Sequence, residues 1–306
     1  MRLMLAALLV AFSAVHSYAF ESRVLSFEYD GIDRGALIDA QTGLRGAPML
    51  VVLHGGIAGP YWVRRQAQVT LASQGWVVAW PEAVDDWNDG RTNSRGRPYD
   101  DADDVGFLRR MIEILAEQGV VDPARVFFAG PSIGGVMTLR MLCEAPDLVA
   151  GAAVAIASFA ESYSCPEGPP RPVLYIHGTD DGIMDPEGGR IGGWNPLIRD
   201  RGRVEPVERT MAKLAQRNGC TGLQEEALPD VYEPDGSTVR RRIYQGCAEP
   251  LVHFIVDGGG HTWPGSRRSP AATFVGETNQ DFSATQTVQA FFQAIAAQRT
   301  AQGNSP

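Results

Sequence analysis

The stretch Val126 to Gly135, V-F-F-A-G-P-S-I-G-G, constrains the fold of this chain more than any other. V-F-F-A is an apolar run of the kind that forms a buried strand. Gly130-Pro131-Ser132-Ile133-Gly134 follows as G-x-S-x-G, and Val136, Leu139, Leu142 and Cys143 then recur at helical spacing. A strand that turns sharply through a serine into a helix is a nucleophile elbow. The glycines belong to it because the serine sits in a strained turn, where side chains would keep strand and helix from closing.

The chain has 306 residues and a net charge of −9, with ample length for one large α/β domain or two small ones. Its acidic balance and lack of a basic block argue against a nucleic-acid partner. Met1-Arg2, the apolar run Leu3 to Val15 and the small residues of Ser17-Tyr18-Ala19 have the pattern of a secretory signal. The expectation is cleavage after Ala19, leaving residues 20–306 as one domain with no stable membrane association. A retained anchor is the alternative, but the apolar run is too short to span a bilayer. An exported chain with four cysteines, Cys143, Cys165, Cys220 and Cys247, is expected to hold two disulfides. Three connectivities are open. The sequential one closes the shortest loops, and each bridge would add about 3 kcal/mol by chain entropy. No two cysteines have the close spacing of a metal clip, so no metal is implied.

Along the chain, short apolar strands alternate with amphipathic helices. Val24–Tyr29 and Ala36–Ala40 read as a hairpin turning at Asp30-Gly31. Strands follow at Met49–Leu53, Trp76–Trp80, Ala152–Ile156, Val173–Ile176 and, last, Val252–Val256. Helices are expected over Val63–Gln74, Asp103–Gln118, Pro206–Arg217 and Thr287–Gln298, with a loop over 82–100. The alternation implies a mostly parallel central sheet with helices on both faces, an α/β class.

An elbow serine needs a base to take its proton and an acid to orient that base. In the α/β-hydrolase fold these follow in the order Ser, Asp or Glu, His. Past the signal the histidines are His54, His177, His253 and His261. His54 precedes the serine, His177 leaves no room for an intervening acid, and His253 lies inside a strand. His261 follows Gly258-Gly259-Gly260 after the last strand and is the candidate base. A plain surface histidine is the alternative, but three glycines there suit a close backbone approach. The candidate acid is Asp180 or Asp181, just past Val173–Ile176; the residues alone leave both open. The oxyanion hole would take the N–H of Ile133 and that of Gly56 or Ile57, after the strand ending at Leu53.

Here the chain resembles a known family, the poly(3-hydroxybutyrate) depolymerase and feruloyl esterase group of secreted α/β-hydrolases (LpqC-like esterases). The resemblance rests on several strings. These are Leu53-His54-Gly55-Gly56, Trp87-Asn88-Asp89-Gly90-Arg91, Asp103-Asp104-Val105-Gly106-Phe107-Leu108, Val121-Asp122-Pro123-Ala124-Arg125-Val126, His177-Gly178-Thr179-Asp180-Asp181, Cys220-Thr221-Gly222 and Gly258-Gly259-Gly260-His261-Thr262-Trp263-Pro264-Gly265. It implies that Ser132 is the nucleophile, Asp181 the acid, His261 the base, and that Cys220 pairs with Cys247. Three positions depart from the family pattern: Pro131 before the serine, Gly56 where a cysteine is common, and Met184-Asp185-Pro186 after the acid.

The expected reaction is hydrolysis of a carboxylic ester through an acyl-enzyme, with no cofactor. The substrate class is a feruloyl ester or a 3-hydroxybutyrate oligomer or polyester. Trp263, two residues past the base, is the candidate wall of the substrate cleft, with Trp87 and Trp194 as weaker candidates. With no module for binding solid polymer, soluble oligomers should be preferred. A peptidase or thioesterase could use the same three residues. A non-catalytic binding protein of this fold would typically have lost one of them.

Overall fold

The computed structural model describes residues 20–56, 58–193, 200–268 and 272–303. The expected signal over 1–19 lies outside them, as do Ile57 and Trp194.

Ten strands form one sheet: β1 (Phe20–Tyr29), β2 (Ile32–Gln41), β3 (Ala47–Val52), β4 (Val77–Pro81), β5 (Val121–Pro131), β6 (Gly151–Ala155), β7 (Val173–Gly178), β10 (Gly222–Ala227), β11 (Thr238–Gln245) and β12 (Leu251–Asp257). Two short strands, β8 (Gly189–Arg190) and β9 (Arg203–Val204), pair separately. The order across the large sheet is β1-β2-β4-β3-β5-β6-β7-β12-β11-β10. From β4 to β12 every pairing is parallel, and both flanks are antiparallel.

The central positions of the parallel strands are mostly apolar because both faces of the sheet are covered. Along β3, Met49 and Val51 join the core on one face and Leu50 and Val52 the core on the other. The first face is closed by α2 (Asp104–Glu117), α3 (Ile133–Glu144) and α4 (Val207–Arg217), through Phe107, Leu108, Leu139, Met141 and Met211. The second is closed by α1 (Pro60–Ala67) and α6 (Ala284–Gly303), through Val63, Phe292 and Ile295. α5 (Ala272–Val275) is a single turn near the end of β12. Asp103 caps α2 by accepting from Gly106 N at 2.9 Å.

The structure corrects the sequence reading at two places. The helix expected over Val63–Gln74 is broken, because Gln68 is left-handed (φ 46°) and only a 3-10 turn, Leu71–Gln74, follows. The break is held from far along the chain: Gln289 Oε1 on α6 accepts from Thr70 N at 2.7 Å and Thr70 Oγ1 at 3.2 Å. The second is the pair β10 and β11, which had not been expected. Their sequences, G-L-Q-E-E-A and T-V-R-R-R-I-Y-Q, carry no apolar alternation. They are matched by charge instead, with Glu225 opposite Arg242 and Glu226 opposite Arg241.

The disulfides are Cys143–Cys165 and Cys220–Cys247, the sequential pairing. The first anchors the last turn of α3. Among the described residues no helix is long and apolar enough to cross a membrane.

Candidate active site

Because β3, β5, β6, β7 and β12 run parallel, their carboxyl ends lie along one edge of the sheet, where α/β folds place their sites. Ser132 follows β5, Asp181 follows β7, His261 follows β12 and Gly55-Gly56 follow β3.

Ser132 has φ 56° and ψ −129°, a strained conformation for a residue with a side chain. Close packing holds it there. A Cβ on Gly130 would fall on the Gly134 carbonyl, one on Gly134 would fall on the Leu53 carbonyl, and one on Gly135 would meet Ala157 Cβ at 2.6 Å. Pro131 does not interrupt the strand. It stands opposite Ala155 in the ladder, and Ser132 N donates to Ala155 O at 2.9 Å. Ile133 opens α3, so its N–H is among the first-turn donors with no intrahelical acceptor, at the positive end of the helix dipole.

His261 Nε2 lies 2.9 Å from Ser132 Oγ, and His261 Nδ1 lies 2.7 Å from Asp181 Oδ2. The other carboxylate oxygen, Asp181 Oδ1, accepts from Ile183 N at 2.9 Å and Met184 N at 2.8 Å, so the carboxylate is oriented from both sides. Asp181 is buried, whereas Asp180 is exposed. Of the two aspartates that the residues left open, Asp181 is the one in contact with the imidazole. The glycines before His261 have a close-packing role. A Cβ on Gly260 would fall on the Val275 carbonyl, and one on Gly178 would fall on the Gly259 carbonyl.

His54, set aside by chain order, has both ring nitrogens engaged. Its Nδ1 lies 2.8 Å from Gly55 O, and its Nε2 accepts from Ala83 N at 3.1 Å. Burial lowers its pKa, so the ring is neutral and Nδ1 carries the proton. Trp87, offered above as a cleft candidate, is buried in the core, and its indole N–H donates to His54 O at 2.9 Å. That corrects the cleft reading: Trp87 braces the loop that carries Gly55 and Gly56. Trp263 is partly buried, and its N–H donates to Thr285 Oγ1 at 2.9 Å. Gly55 packs on Ser132, since a Cβ there would lie 3.5 Å from Ser132 Cβ.

One residue at the site was missed by sequence reasoning. A Cβ on Gly56 would meet Ile133 Cδ1 at 2.6 Å and Arg201 Nη1 at 2.7 Å, so the Arg201 guanidinium lies directly against the glycine loop. No motif marks it, because loop packing rather than local spacing puts it there. A cavity of about 400 Å³ beside α1, lined by Phe20, Tyr61, Arg64 and Val69, includes none of these site residues. Among the described residues no cluster of three or more His, Cys, Asp or Glu could hold a metal ion.

A mostly parallel sheet covered on both faces, with a strand–serine–helix turn in it, defines the α/β-hydrolase class. No protein-family model matches the chain. It is 30% identical over 265 residues to NocK of Nocardia uniformis, named as an esterase, covering 80% of this chain and 74% of that protein. It is 27% identical over 236 residues to feruloyl esterase B of Piromyces equi, covering 72% of this chain but 40% of that longer protein. Feruloyl esterase D of Neurospora crassa is 30% identical over 189 residues, 61% of this chain and 54% of that protein. Among solved structures, the acetyl xylan esterase of Aspergillus awamori matches with a TM-score of 0.56 at 17% identity, over 78% of this chain and 94% of that one, a likeness of fold. The chain belongs to the family of α/β-hydrolase esterases that contains these feruloyl esterases, and it is a carboxylic ester hydrolase.

Proposed function

We propose that Ser132, His261 and Asp181 hydrolyse a carboxylic ester through an acyl-enzyme. The observation that carries this reading is the unbroken chain Asp181–His261–Ser132, at 2.7 and 2.9 Å, on an elbow with the nucleophile at positive φ. His261 Nε2 takes the Ser132 proton as Oγ attacks the carbonyl carbon. Asp181 fixes the tautomer that leaves Nε2 free to do so and stabilises the imidazolium. The developing oxyanion is received by the N–H of Ile133 and that of Gly56. A preorganised donor of this type is commonly worth about 3 kcal/mol. His261 then protonates the leaving alcohol, and water, deprotonated by the same ring, releases the acid.

The names of the relatives favour a feruloyl or acetyl ester on a polysaccharide, and the family resemblance adds 3-hydroxybutyrate oligomers. Trp263 walls the acyl side of the cleft in this reading. Two disulfides favour an oxidising compartment, hence export after cleavage at Ala19. The decisive measurement incubates the chain with feruloylated, acetylated and 3-hydroxybutyrate esters and identifies the acids released, with Ser132→Ala as control. Loss of turnover and of fluorophosphonate labelling in Ser132→Ala is expected. Full activity in that variant would overturn the assignment.

A further inference from the structure

Gly56 has no need of glycine for its backbone angles, since its φ is not among the positive ones. It has a need of space, and part of the space is taken by Arg201 Nη1. The pairing brings a cation to the loop that, in the esterase reading above, receives the oxyanion.

The base of Arg201 is fixed on both sides. Its carbonyl accepts from the buried Arg91 Nη1 at 2.7 Å. Arg91 is held in turn by Asp89, whose two oxygens lie 2.7 and 2.9 Å from Nε. On one side, Asp200 accepts from Tyr99 Oη at 3.0 Å and Ser94 N at 2.9 Å. On the other, Gly202 has φ 84° and lies against Tyr99, where a Cβ would sit 3.0 Å from the ring. The Arg201 side chain is 27% exposed. Its guanidinium meets Asp86 Oδ2 at 3.8 Å, an oxygen that also faces Arg91 Nη2 at 3.3 Å. One carboxylate oxygen therefore serves two guanidinium groups, and the pair with Arg201 is the longer. A cation on a fixed base, incompletely matched among the described residues and partly open to solvent, can take a second carboxylate in the bidentate manner of arginine.

Building on the esterase reading, we propose that Arg201 is a specificity residue that binds a carboxylate carried by the substrate close to its scissile ester, so that anionic esters are preferred. The carboxylate can sit on the acyl or the alcohol side, and two matched pairs of esters separate these. On the acyl side, ethyl hydrogen fumarate is compared with ethyl crotonate by ethanol release. On the alcohol side, 3-acetoxybutyrate is compared with 3-acetoxybutyramide by acetate release. In one arm kcat/KM should favour the anionic ester. Arg201→Gln should reduce that preference by about tenfold or more, the scale of a charge-assisted contact, and Arg201→Lys should retain part of it. Thermal melting of both variants separates misfolding from lost recognition. Hydrolysis of all four esters without a charge preference, or a preference that Arg201→Gln leaves unmoved in a folded enzyme, overturns the proposal. Hydrolysis of none of the four overturns the proposal alone, and only a further absence of fluorophosphonate labelling at Ser132 sinks the Ser132 reading with it.

Discussion

Strands β7 and β12 each carry a histidine in the sheet and a functional candidate beyond its end, and the two levels differ sharply. Inside the sheet, His177 Nδ1 and His253 Nε2 face each other at 2.7 Å, both rings buried. At the carboxyl edge, Asp181 and His261 face each other at 2.7 Å, with Ser132 on the far side of the ring. Among the described residues no carboxylate is hydrogen-bonded to the inner pair. Burial holds His177 down to about 4 and His253 well below the usual imidazole range. Both rings are neutral, so one nitrogen of the pair donates and the other accepts. Among the described residues the buried His253 Nδ1 has no hydrogen-bond partner, and an orphan acceptor costs less there than an orphan N–H. His253 Nε2–H is therefore the donor. The comparison teaches that a histidine gains chemistry from its two neighbours: an acid to fix the tautomer and a hydroxyl to take the other nitrogen.

The largest effect that tests this contrast is at the edge. His261→Ala should lower kcat on the order of 10⁴-fold while the melting curve is little changed. A loss below tenfold would put the base elsewhere. Asp181→Asn should cost a similar factor, because the amide can hold the wrong tautomer. In the inner pair the expected effect is on stability and has a definite sign. Unfolded histidines bind protons below their reference pKa of 6.5, and folded His177 does so only near 4. The stability that His177 contributes by staying neutral is therefore fully present above about pH 6.5 and is lost as pH falls toward 4. The loss from His177 is about 3 kcal/mol. Denaturant titrations between pH 7 and 4 should show this slope, and His177→Asn should make it shallower, with His253 sustaining the rest, while turnover at pH 7 persists. An unchanged slope would mean that the inner rings take protons in the folded state. The smallest expected effect is at the outer edge of the sheet. Glu226→Gln removes a half-exposed ion pair to Arg241 and should shift stability by less than about 1 kcal/mol.

Much of this was legible from the sequence where sequence neighbours also touch. The elbow could be read because Gly130, Ser132 and Gly134 are close in sequence and in space. His261 could be read because three glycines precede it at a strand end. The residues alone left Asp180 and Asp181 open, and it took the family resemblance to favour Asp181, the aspartate whose carboxylate is found on His261. What could not be read depends on distant partners. The break at Gln68 is sustained by Gln289, and Arg201 is seated by Arg91, Tyr99 and Asp86. Trp87 reads as a weaker cleft candidate because it sits in a polar loop, yet its ring is buried in the core. β10 and β11 were invisible to a search for apolar alternation because charge matches them across the strands.

The seam at Gly178 has one more consequence. The backbones that carry Asp181 and His261 meet there with no side chain between them, since a Cβ on Gly178 would strike the Gly259 carbonyl. The spacing of Asp181 and His261 is thus set by main chain against main chain, not by the compliance of packed side chains. In a survey of all single substitutions this would stand out as a fragile point behind the cleft. One added methyl at Gly178 would move Asp181 and His261 apart without altering either side chain.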